Sequence, residues 1–359
     1  MINQPLVSVV LVIRDIERFL PEAIESVLTQ TFLDFEFLIV DFGSKDRSKE
    51  IALDYASRDQ RVKVSQIAPC SYIEAKVAAC TLPRSRYIAI QDADDISLPD
   101  RLNAEVDYLE RNPAVGLLGG AVQWIDSVGN LIDSADDYPS ENEEIQRELM
   151  VRNTFWHPTI LMRRDAYEQV GGYRRVFVQS DDYDLWLRIA ELYQCANLKQ
   201  KVLKYRIHPQ QLSFRKRKDQ ILCALAAQAA ASLRRAGRPD PLDAAPEISP
   251  SLLVDMGVSI AEQKRSLASG YDGYIRHMFD AGNYSAVQDS IAEMLEVCQG
   301  YLDPRQVSDM HILAAEAAWK QGKIVGSLKA IGLAVQARPR VLGRPLRSLV
   351  DRVRYSFQS

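Results

Sequence analysis

The stretch Tyr87–Arg101, YIAIQDADDISLPDR, decides the fold. Its first four residues form an apolar run that is typical of a strand buried in a sheet. Three acids follow within four residues, at Asp92, Asp94 and Asp95, and Pro99 then opens a predicted helix. In an open α/β sheet, side chains at the carboxyl end of a strand face the crevice where ligands bind. The stretch therefore predicts an α/β fold with a candidate site directly after this strand.

The acidic cluster has two interpretations. Three neighbouring carboxylates repel one another, so a bound cation would stabilise them. Oxygen ligands of this kind suit Mg²⁺ or Mn²⁺. The alternative is an acidic turn exposed to water, which is the more frequent explanation of a DxDD sequence taken alone. The choice between the two depends on the rest of the chain.

Composition limits the class of protein. The chain has 359 residues, 47% hydrophobic and 26% charged, which indicates a globular protein of two domains, or one large domain with an appendage. The net charge of -4 gives no reason to expect a nucleic-acid partner. The five cysteines are scattered and odd in number, which indicates free thiols in a reducing compartment. We expect no signal peptide and no membrane-spanning segment, and hence a cytoplasmic protein.

Strands and helices alternate along the first part of the chain. Buried strands are predicted at 6–13, 35–40 and 87–91, and a shorter one at 62–67. Further strands are predicted at 115–123, within 153–164, where a loop leads into a strand, and at 202–208. Alternation with short connections is typical of a mainly parallel sheet flanked by helices. Asp41 and Asp92 each follow one of these strands, so both are expected at the same edge of the sheet.

The composition changes near residue 214, where the chain becomes rich in Ala, Leu and Arg. We expect an α/β domain at 1–214, a helical linker at 215–250 and an α-helical domain at 251–359. The tail from Arg338 to Arg354 holds six arginines and one acid, with its leucines on one helical face. This pattern fits peripheral contact with an anionic membrane, and a solvated basic helix packed on its own domain is the alternative. Homo-oligomerisation and partner docking are further roles expected of the helical region.

Several motifs follow one another in a specific order on the predicted elements. They are VSVVLVI (7–13), AIESVLTQTF (23–32), FEFLIVDFGSKDRS (35–48), YIAIQDADDISLPDRL (87–102), GGYRRVFVQSDDYDLWLRI (171–189) and KYRIH (204–208). In this order they resemble the family 2 glycosyltransferases of bacteria, which have the GT-A fold that binds nucleoside-diphosphate sugars. The resemblance covers residues 6–213, and the C-terminal third shows no specific resemblance.

The resemblance implies transfer of a sugar from a nucleoside-diphosphate sugar, with UDP as the expected nucleotide, to a glycan, polysaccharide or lipid-linked acceptor. Negative charge grows on the leaving diphosphate, and Mn²⁺ or Mg²⁺ held by carboxylates stabilises it. By resemblance, Asp94 is a direct metal ligand, Asp92 contacts the ribose or the metal shell, and Asp95 supports it. Asp41 matches the aspartate that accepts a hydrogen bond from the base, and a helix-entry cap is the alternative.

Glycosyl transfer also requires a general base, because the acceptor hydroxyl loses a proton as it attacks. Residues 180–186, SDDYDLW, resemble the family's E-D-x-D-L-W motif. On that match Asp182 is the catalytic base, Asp181 replaces the more usual Glu, and Asp184 is a structural helix acid. An ordinary helix N-cap is the alternative for the first two acids. The family mechanism implies inversion at the anomeric carbon in one displacement.

Five basic side chains are further candidates. Lys76 falls where the family commonly places a Lys or Arg facing the nucleotide, and a solvated helix lysine is the alternative. His208 ends a strand in the YRIH pattern and, by resemblance, approaches the metal or the diphosphate, with a surface or capping histidine as the alternative. His157 resembles a position near the acceptor. Arg163 and Arg164 either contact phosphates or are solvated.

Four positions depart from the family pattern. Val12 replaces a Pro, Arg14-Asp15 replaces Tyr-Asn, and Phe42 replaces an acid. By resemblance, the region after the first strand lines the base and the ribose, so these changes bear on base preference and on nucleotide binding itself. Two other functions therefore stay open. One is a non-catalytic scaffold or binding protein built on a degenerate transferase domain. The other is a nucleotidyltransferase, although the Gly-rich phosphate loop expected of such an enzyme is not seen after the first strand.

Overall fold

The computed structural model describes residues 4–132, 138–208, 216–280 and 282–339. The chain divides into two compact units, residues 1–249 and 250–359. Each unit is described by itself.

A mixed sheet forms the centre of the first unit. Over the described residues it has eight strands in the order β3-β2-β1-β4-β7-β6-β8-β5. These are β1 (Val7–Ile13), β2 (Phe35–Asp41), β3 (Val62–Gln66), β4 (Tyr87–Gln91), β5 (Ile96–Ser97), β6 (Val115–Ile125), β7 (Leu161–Arg163) and β8 (Gln194–Arg206). The pairs among β1 to β4 are parallel, and so is the β6/β8 pair. β7 is antiparallel to both of its neighbours, and β5 is antiparallel to β8. The predicted mainly parallel sheet is therefore confirmed.

The helices of this unit connect the strands and cover the sheet. They are α1 (Leu20–Leu28), α2 (Ser48–Arg58), α3 (Tyr72–Cys80), α4 (Arg101–Arg111), α5 (Asn142–Glu148), α6 (Arg164–Gln169), α7 (Asp181–Ala190) and α8 (Arg217–Arg235). Side chains of β1 and β2 pack in one core with Leu20 and Ile24 of α1 and Leu102 of α4. Such two-sided burial explains why both strands are nearly continuous runs of apolar residues.

Strand β8 is longer than predicted. It begins at Gln194 instead of residue 202, and its middle residues, Lys199 to Lys201, are exposed. The register with β6 also shifts next to Gly120 and Ala121, so two residues of β8 lack a partner there. The polar residues at this bulge interrupt the apolar pattern, so hydrophobic periodicity does not predict the first half of the strand.

Residues 215–250 differ from the expected linker. Helix α8 packs against α7 and lies in the same compact unit as the sheet. Its alanine-rich face is buried at Ala226, Ala227 and Ala230. Arg234 of α8 also forms an ion pair of 2.7 Å with Glu191 after α7. Small side chains allow close helix packing, so this segment extends the α/β unit.

The second unit is helical, as predicted. Its helices are α9 (Pro250–Asp255), α10 (Ile260–Asp280), α11 (Tyr284–Val297), α12 (Pro304–Lys320) and α13 (Ile324–Ala337). The sequence predicts a break near residue 270, but α10 is continuous because Leu267, Tyr271 and Ile275 prolong one buried stripe. Among the helices that the structure describes, none combines the length and the apolar character needed to cross a bilayer. Most of the basic tail lies outside the described residues, so its membrane contact stays a prediction.

Candidate active site

The acidic cluster lies in a turn held by buried polar side chains. The amide nitrogen of Gln91 donates to the carbonyl oxygens of Asp92 (2.9 Å) and Asp95 (3.0 Å). The hydroxyl of Ser97 donates to the amide oxygen of Gln91 at 2.6 Å, and the guanidinium of Arg101 donates to it at 3.2 Å. Gln91 and Arg101 are each about 2% exposed or less. The three carboxylates therefore project from a turn whose backbone is fixed by the buried side chains of Gln91, Ser97 and Arg101.

Each carboxylate of the cluster has its own neighbour. The Nδ1 atom of His157 lies 3.2 Å from both oxygens of Asp92, and the Nε2 atom of His208 lies 2.9 Å from Oδ2 of Asp94. The backbone N–H of Arg206 donates to Oδ1 of Asp95 at 2.7 Å. The repulsion expected from the sequence is thus partly relieved by two histidines and one main-chain donor.

These surroundings move the pKa values of two acids in opposite directions. Burial raises the pKa of Asp92, but the combined effects of His157, Lys76 and Arg101 outweigh it, and the pKa is lowered. Burial, together with the charges of Asp94 and Asp92, raises the pKa of Asp95 well above its ordinary value. Asp95 therefore holds a proton more readily than an ordinary aspartate, which lowers the negative charge of the cluster.

The residues present fit a divalent cation. Asp94 and His208 offer a carboxylate and an imidazole side by side, and Mn²⁺ accepts both. The Oδ2 atom of Asp95 is buried without a hydrogen-bond partner among the described residues. Within that same part of the chain, no cluster of three or more His, Cys, Asp or Glu is arranged to hold a metal alone. The donor set therefore fits a cation bound by one or two protein ligands and completed by substrate phosphates.

The second group of acids opens α7. Gly171 and Gly172, which follow α6, both have positive φ, of 78° and 66°. Ser180 adopts a left-handed conformation, and its hydroxyl donates to the carbonyl of Gln220 instead of capping the helix. Asp181 and Asp182 consequently lie in the first helical turn, where their side chains contact other parts of the chain.

Asp182 is partly exposed, and its carboxylate accepts hydrogen bonds from the side chain of Asn153 and the backbone of Tyr183. The Nδ2 atom of Asn153 donates to Oδ2 of Asp182 at 3.0 Å. Burial, and next the charge of Asp181, raises the pKa of Asp182 above its ordinary value, although His157 and Lys76 oppose the shift. A carboxylate with a raised pKa is a better proton acceptor at neutral pH than an ordinary aspartate.

Lys76 is neither solvated nor free. Its Nζ atom lies 2.6 Å from Oδ2 of Asp181, and both residues are 7% exposed. The ammonium group also lies over the rings of Tyr72 (5.0 Å) and Tyr173 (5.1 Å). Burial would lower the pKa of Lys76, but Asp181, Tyr72 and Asp182 together outweigh it and the pKa is raised. The expectation of a solvated lysine is therefore wrong, and a role facing the nucleotide stays a prediction.

Tyr173 joins the two groups of acids. Its hydroxyl lies 3.2 Å from Nε2 of His157, whose other ring nitrogen contacts Asp92. The same tyrosine ring lies under the ammonium group of Lys76, which pairs with Asp181. A continuous chain of contacts therefore runs from the turn after β4 to the first turn of α7.

We expect Lys76→Met to lower the free energy of unfolding by about 3–5 kcal/mol, because it leaves the Asp181 carboxylate buried without its cation. Urea unfolding of the purified chain measures the change. In the double variant with Asp181→Leu, much of the loss should be recovered, since both charges are then removed. Arg86→Met is the matched control, because the Arg86–Glu110 pair is exposed and should contribute about 1 kcal/mol or less. Equal losses in the two single variants would contradict the prediction.

Asp41 lies at the same edge of the sheet as the acidic cluster. Its Oδ1 atom accepts hydrogen bonds from the backbone N–H (3.1 Å) and the hydroxyl (2.5 Å) of Ser44. Asp41 is paired in register with Ile13, the last residue of β1, which separates β2 from β4. Asp41 thus stabilises the turn before α2, and its contact with a base stays a prediction.

The positions that depart from the family pattern also meet beside Asp41. The ring of Phe42 lies 6.0 Å from that of Tyr72, and the guanidinium of Arg14 lies 5.4 Å from the centre of the Phe42 ring. Asp15 has a φ of 51°, and its carboxylate accepts a hydrogen bond of 2.7 Å from the backbone of Lys45. Arg14, Asp15 and Phe42 therefore form one connected patch.

The comparisons with known proteins agree with this geometry. The family model of glycosyl transferase family 2 matches residues 8–171. An uncharacterised glycosyltransferase of Methanocaldococcus jannaschii is 33% identical over 209 residues, which cover 57% of this chain and 72% of the relative. The O-antigen biosynthesis glycosyltransferase WbnJ of Escherichia coli is 32% identical over 210 residues, which cover 56% of this chain and 80% of that protein.

The chain belongs to glycosyl transferase family 2. It is a glycosyltransferase, so neither the scaffold nor the nucleotidyltransferase interpretation is retained. Solved structures show the GT-A fold. TarS of S. aureus, residues 1–349, has a TM-score of 0.53 at 15% identity over 92% of both chains. The mannosyltransferase PcManGT of Pyrobaculum calidifontis has a TM-score of 0.51 at 15% identity over 91% of this chain and 88% of that one.

Two arginines, for which the sequence left either phosphate contact or solvation open, have a different role in this glycosyltransferase. Arg163 is buried, and its guanidinium donates to the carbonyl oxygens of Val115 (2.8 Å) and Leu109 (2.7 Å). Arg164 donates to the carbonyl of Ser85 at 2.8 Å. Arg163 is paired with Tyr87 at the amino end of β4, away from the edge that carries the acids. The phosphate contact left open for Arg163 is wrong because β7 runs antiparallel to β4.

Two further residues of the site are not predicted from the sequence. Arg206 is 2% exposed, and its guanidinium donates to the carbonyl of Asp94 at 2.8 Å and forms an ion pair of 2.5 Å with Glu22. Asn153, which contacts Asp182, is likewise far from its partner in sequence. Arg206 lies in the YRIH motif (205–208) and Asn153 opens the segment NTFWHPT (153–159), so the sequence offered a signal for both positions. Asp184 is a structural helix acid as predicted, because it is buried between Arg174 and Arg188.

Proposed function

We propose that this family 2 member is a metal-dependent, inverting glycosyltransferase that uses a nucleoside-diphosphate sugar. The acceptor is a glycan, a polysaccharide or a lipid-linked sugar. One observation supports the proposal above all others. The acidic turn after β4 and the acid pair that opens α7 are connected through His157, Tyr173 and Lys76. The solved structures that share the fold include TarS with UDP and PcManGT with GDP-Man and Mn²⁺.

The cation would be held by Asp94 and His208, with Asp92 in the outer shell. When bound, Mn²⁺ or Mg²⁺ stabilises the negative charge that develops on the departing diphosphate. The backbone N–H of Arg206 donates to Oδ1 of Asp95 at 2.7 Å, and this bond stabilises the turn. Asp94 and His208 are therefore positioned before the nucleotide sugar binds.

Asp182 is the proposed general base. It is partly exposed, has a raised pKa and is oriented by Asn153, so it can accept the proton of the attacking hydroxyl. Lys76 neutralises Asp181, which prevents the two adjacent carboxylates from repelling the incoming diphosphate together. A base acting on the acceptor, with no protein nucleophile, leads to a single displacement and to inversion at the anomeric carbon.

The nucleotide is proposed to lie between Asp41 and the acidic turn. Asp41 would accept a hydrogen bond from the base, and the Arg14–Phe42 stack offers a flat surface beside it. UDP is the expected nucleotide. The substitutions at Val12, Arg14, Asp15 and Phe42 would then alter the affinity for the base and leave the metal site intact.

Calorimetric titration of the purified chain with UDP, GDP and dTDP, each with Mn²⁺ and with EDTA, tests the proposal. We expect one nucleotide to bind with Mn²⁺ and to bind at least about tenfold more weakly with EDTA, because the cation joins the diphosphate to Asp94. Absence of binding by all three nucleotides would contradict the proposed donor site.

A further inference from the structure

A cavity of about 270 Å³ lies in the first unit at the bulge between β6 and β8. Its lining includes Gly120, Ala121, Tyr138, Trp156, Asn197 and Lys199. None of the residues assigned above to the donor, the cation or the proton transfer belongs to this lining. Among the described lining residues, Lys199 alone carries a charge, and its side chain is exposed. The cavity is therefore unsuited to a diphosphate and suits a neutral ligand.

One wall of the cavity is part of an aromatic cluster. The ring of Trp156 lies 4.8 Å from that of Tyr205, 5.4 Å from that of Tyr138 and 5.9 Å from that of Trp124. All four side chains are half-buried. Aromatic faces bind flat, apolar surfaces, and the C–H face of a pyranose ring is such a surface. The cluster thus offers a stacking platform whose rings hold one another in place.

The lining residues also include polar atoms that lack partners. The Oδ1 atom of Asn197 and the Nε1 atom of Trp156 are buried without a hydrogen bond to any residue that the structure describes. The amide nitrogen of Asn197 donates to the carbonyl oxygens of Pro139 (2.9 Å) and Thr154 (3.0 Å), which fixes the orientation of the amide. Unpaired buried polar groups are costly, and sugar hydroxyls could satisfy both because each hydroxyl donates and accepts.

The cavity is next to the proposed reaction centre. Trp156 directly precedes His157, whose ring contacts Asp92, and Asn153 in the same segment donates to Asp182. Tyr205, which packs on Trp156, directly precedes Arg206, which binds the backbone of the acidic turn and Asp95. One short segment therefore contacts the acidic turn, the proposed base and the aromatic wall.

We propose that this cavity is an acceptor subsite that binds one pyranose ring of the acceptor glycan. The ring stacks on Trp156 and Tyr138, and its hydroxyls bond to the amide of Asn197 and the indole N–H of Trp156. The proposal rests on the proposed function, since it presumes that Asp182 receives a proton from a sugar hydroxyl. A ring held here places the acceptor chain alongside the segment that carries Asn153 and His157.

Saturation-transfer NMR of the full chain with methyl glycosides of glucose, galactose, mannose and N-acetylglucosamine tests this subsite. We expect at least one glycoside to give a transfer signal, with a dissociation constant on the order of 1 mM, as is typical of a small neutral ligand with few contacts. Trp156→Leu removes the stacking face and should abolish the signal. Ala121→Phe should also abolish it by filling the cavity, while Trp156, Tyr138 and Asn197 stay in place. Trp319→Leu in the helical unit is the matched control and should retain the signal.

Each outcome separates this proposal from the proposed function. Absence of a signal from all four glycosides with the unaltered chain, or an undiminished signal in both Trp156→Leu and Ala121→Phe, would overturn the subsite. Nucleotide binding with Mn²⁺ is measured on the same variants and should be unchanged, because none of the lining residues belongs to the acidic turn. Failure of the unaltered chain to bind any nucleotide contradicts the donor site instead. A variant that loses donor affinity but keeps the glycoside signal would assign the cavity to the donor sugar and overturn the proposal.

Discussion

Replacement of Asp94 by asparagine is expected to abolish metal-dependent nucleotide binding and to lower the rate of sugar transfer by about 10²–10³-fold. Asparagine preserves the shape of the side chain and the contact with His208, which lies 2.9 Å from Oδ2 of the aspartate. It removes the negative charge that the cation requires. The loss therefore reports on the charge of Asp94 and not on the architecture of the turn.

Thermal and urea unfolding separate the loss of binding from a loss of folding. In EDTA the Asp94→Asn variant should be at least as stable as the unaltered chain, since one of three neighbouring acids has lost its charge. Mn²⁺ with the nucleotide at about 100 times its dissociation constant should raise the free energy of unfolding of the unaltered chain by about 2.7 kcal/mol and should not affect the variant.

Asp107→Asn is the matched control, because Asp107 is an exposed acid of α4 that pairs with Arg111 four residues later. It should leave nucleotide binding and transfer unchanged. Full transfer by Asp94→Asn, or equal transfer by the unaltered chain in EDTA and in Mn²⁺, would contradict the metal-dependent mechanism.

The sequence predicts the sheet well where burial is two-sided. β1, β2 and β4 lie within one residue of the predicted bounds, because their side chains face the core on both sides and few polar residues interrupt them. The positions of Asp41 and Asp92 follow directly, since a parallel sheet places the ends of its strands at one edge. The fold class and the location of the acids can thus be predicted from short stretches of sequence.

Contacts between residues that are far apart in the sequence cannot be predicted in this way. Lys76 and Asp181 are 105 residues apart, and neither the spacing nor the composition of α3 indicates a buried ion pair. The sequence left phosphate contact or solvation open for Arg163, and neither describes it, because a short strand does not reveal its direction. The antiparallel course of β7 places the arginine at the opposite edge of the sheet. Such pairings depend on tertiary packing, which overrides what a single helix or strand pattern can indicate.

Replacement of Asp182 by asparagine is expected to lower kcat by about 10²–10⁴-fold while leaving nucleotide affinity nearly unchanged. Asparagine keeps the size of the side chain and a possible contact with Asn153, but it cannot accept the proton of the acceptor hydroxyl. Steady-state kinetics together with the nucleotide titration distinguish this result from a damaged donor site. Asp165→Asn, at an exposed acid of α6, is the matched control and should retain the unaltered kcat. A kcat in Asp182→Asn equal to that of the control would contradict the assignment.

The pH profile of kcat gives an independent test of Asp182 as the base. A general base acts in its ionised form, so kcat should rise as the pH increases through the pKa of this residue. Burial and the charge of Asp181 raise that pKa above 3.8, so the acidic limb of the profile should lie above the range of an ordinary aspartate. Asn153→Ala removes a hydrogen bond that favours the ionised carboxylate and should move the limb to still higher pH. If Asp182 is the base, the acidic limb of the unaltered chain must lie above the pH range of an ordinary aspartate, and it must move further in Asn153→Ala. An acidic limb that lies in the ordinary range and does not move in Asn153→Ala would assign the proton transfer to another group.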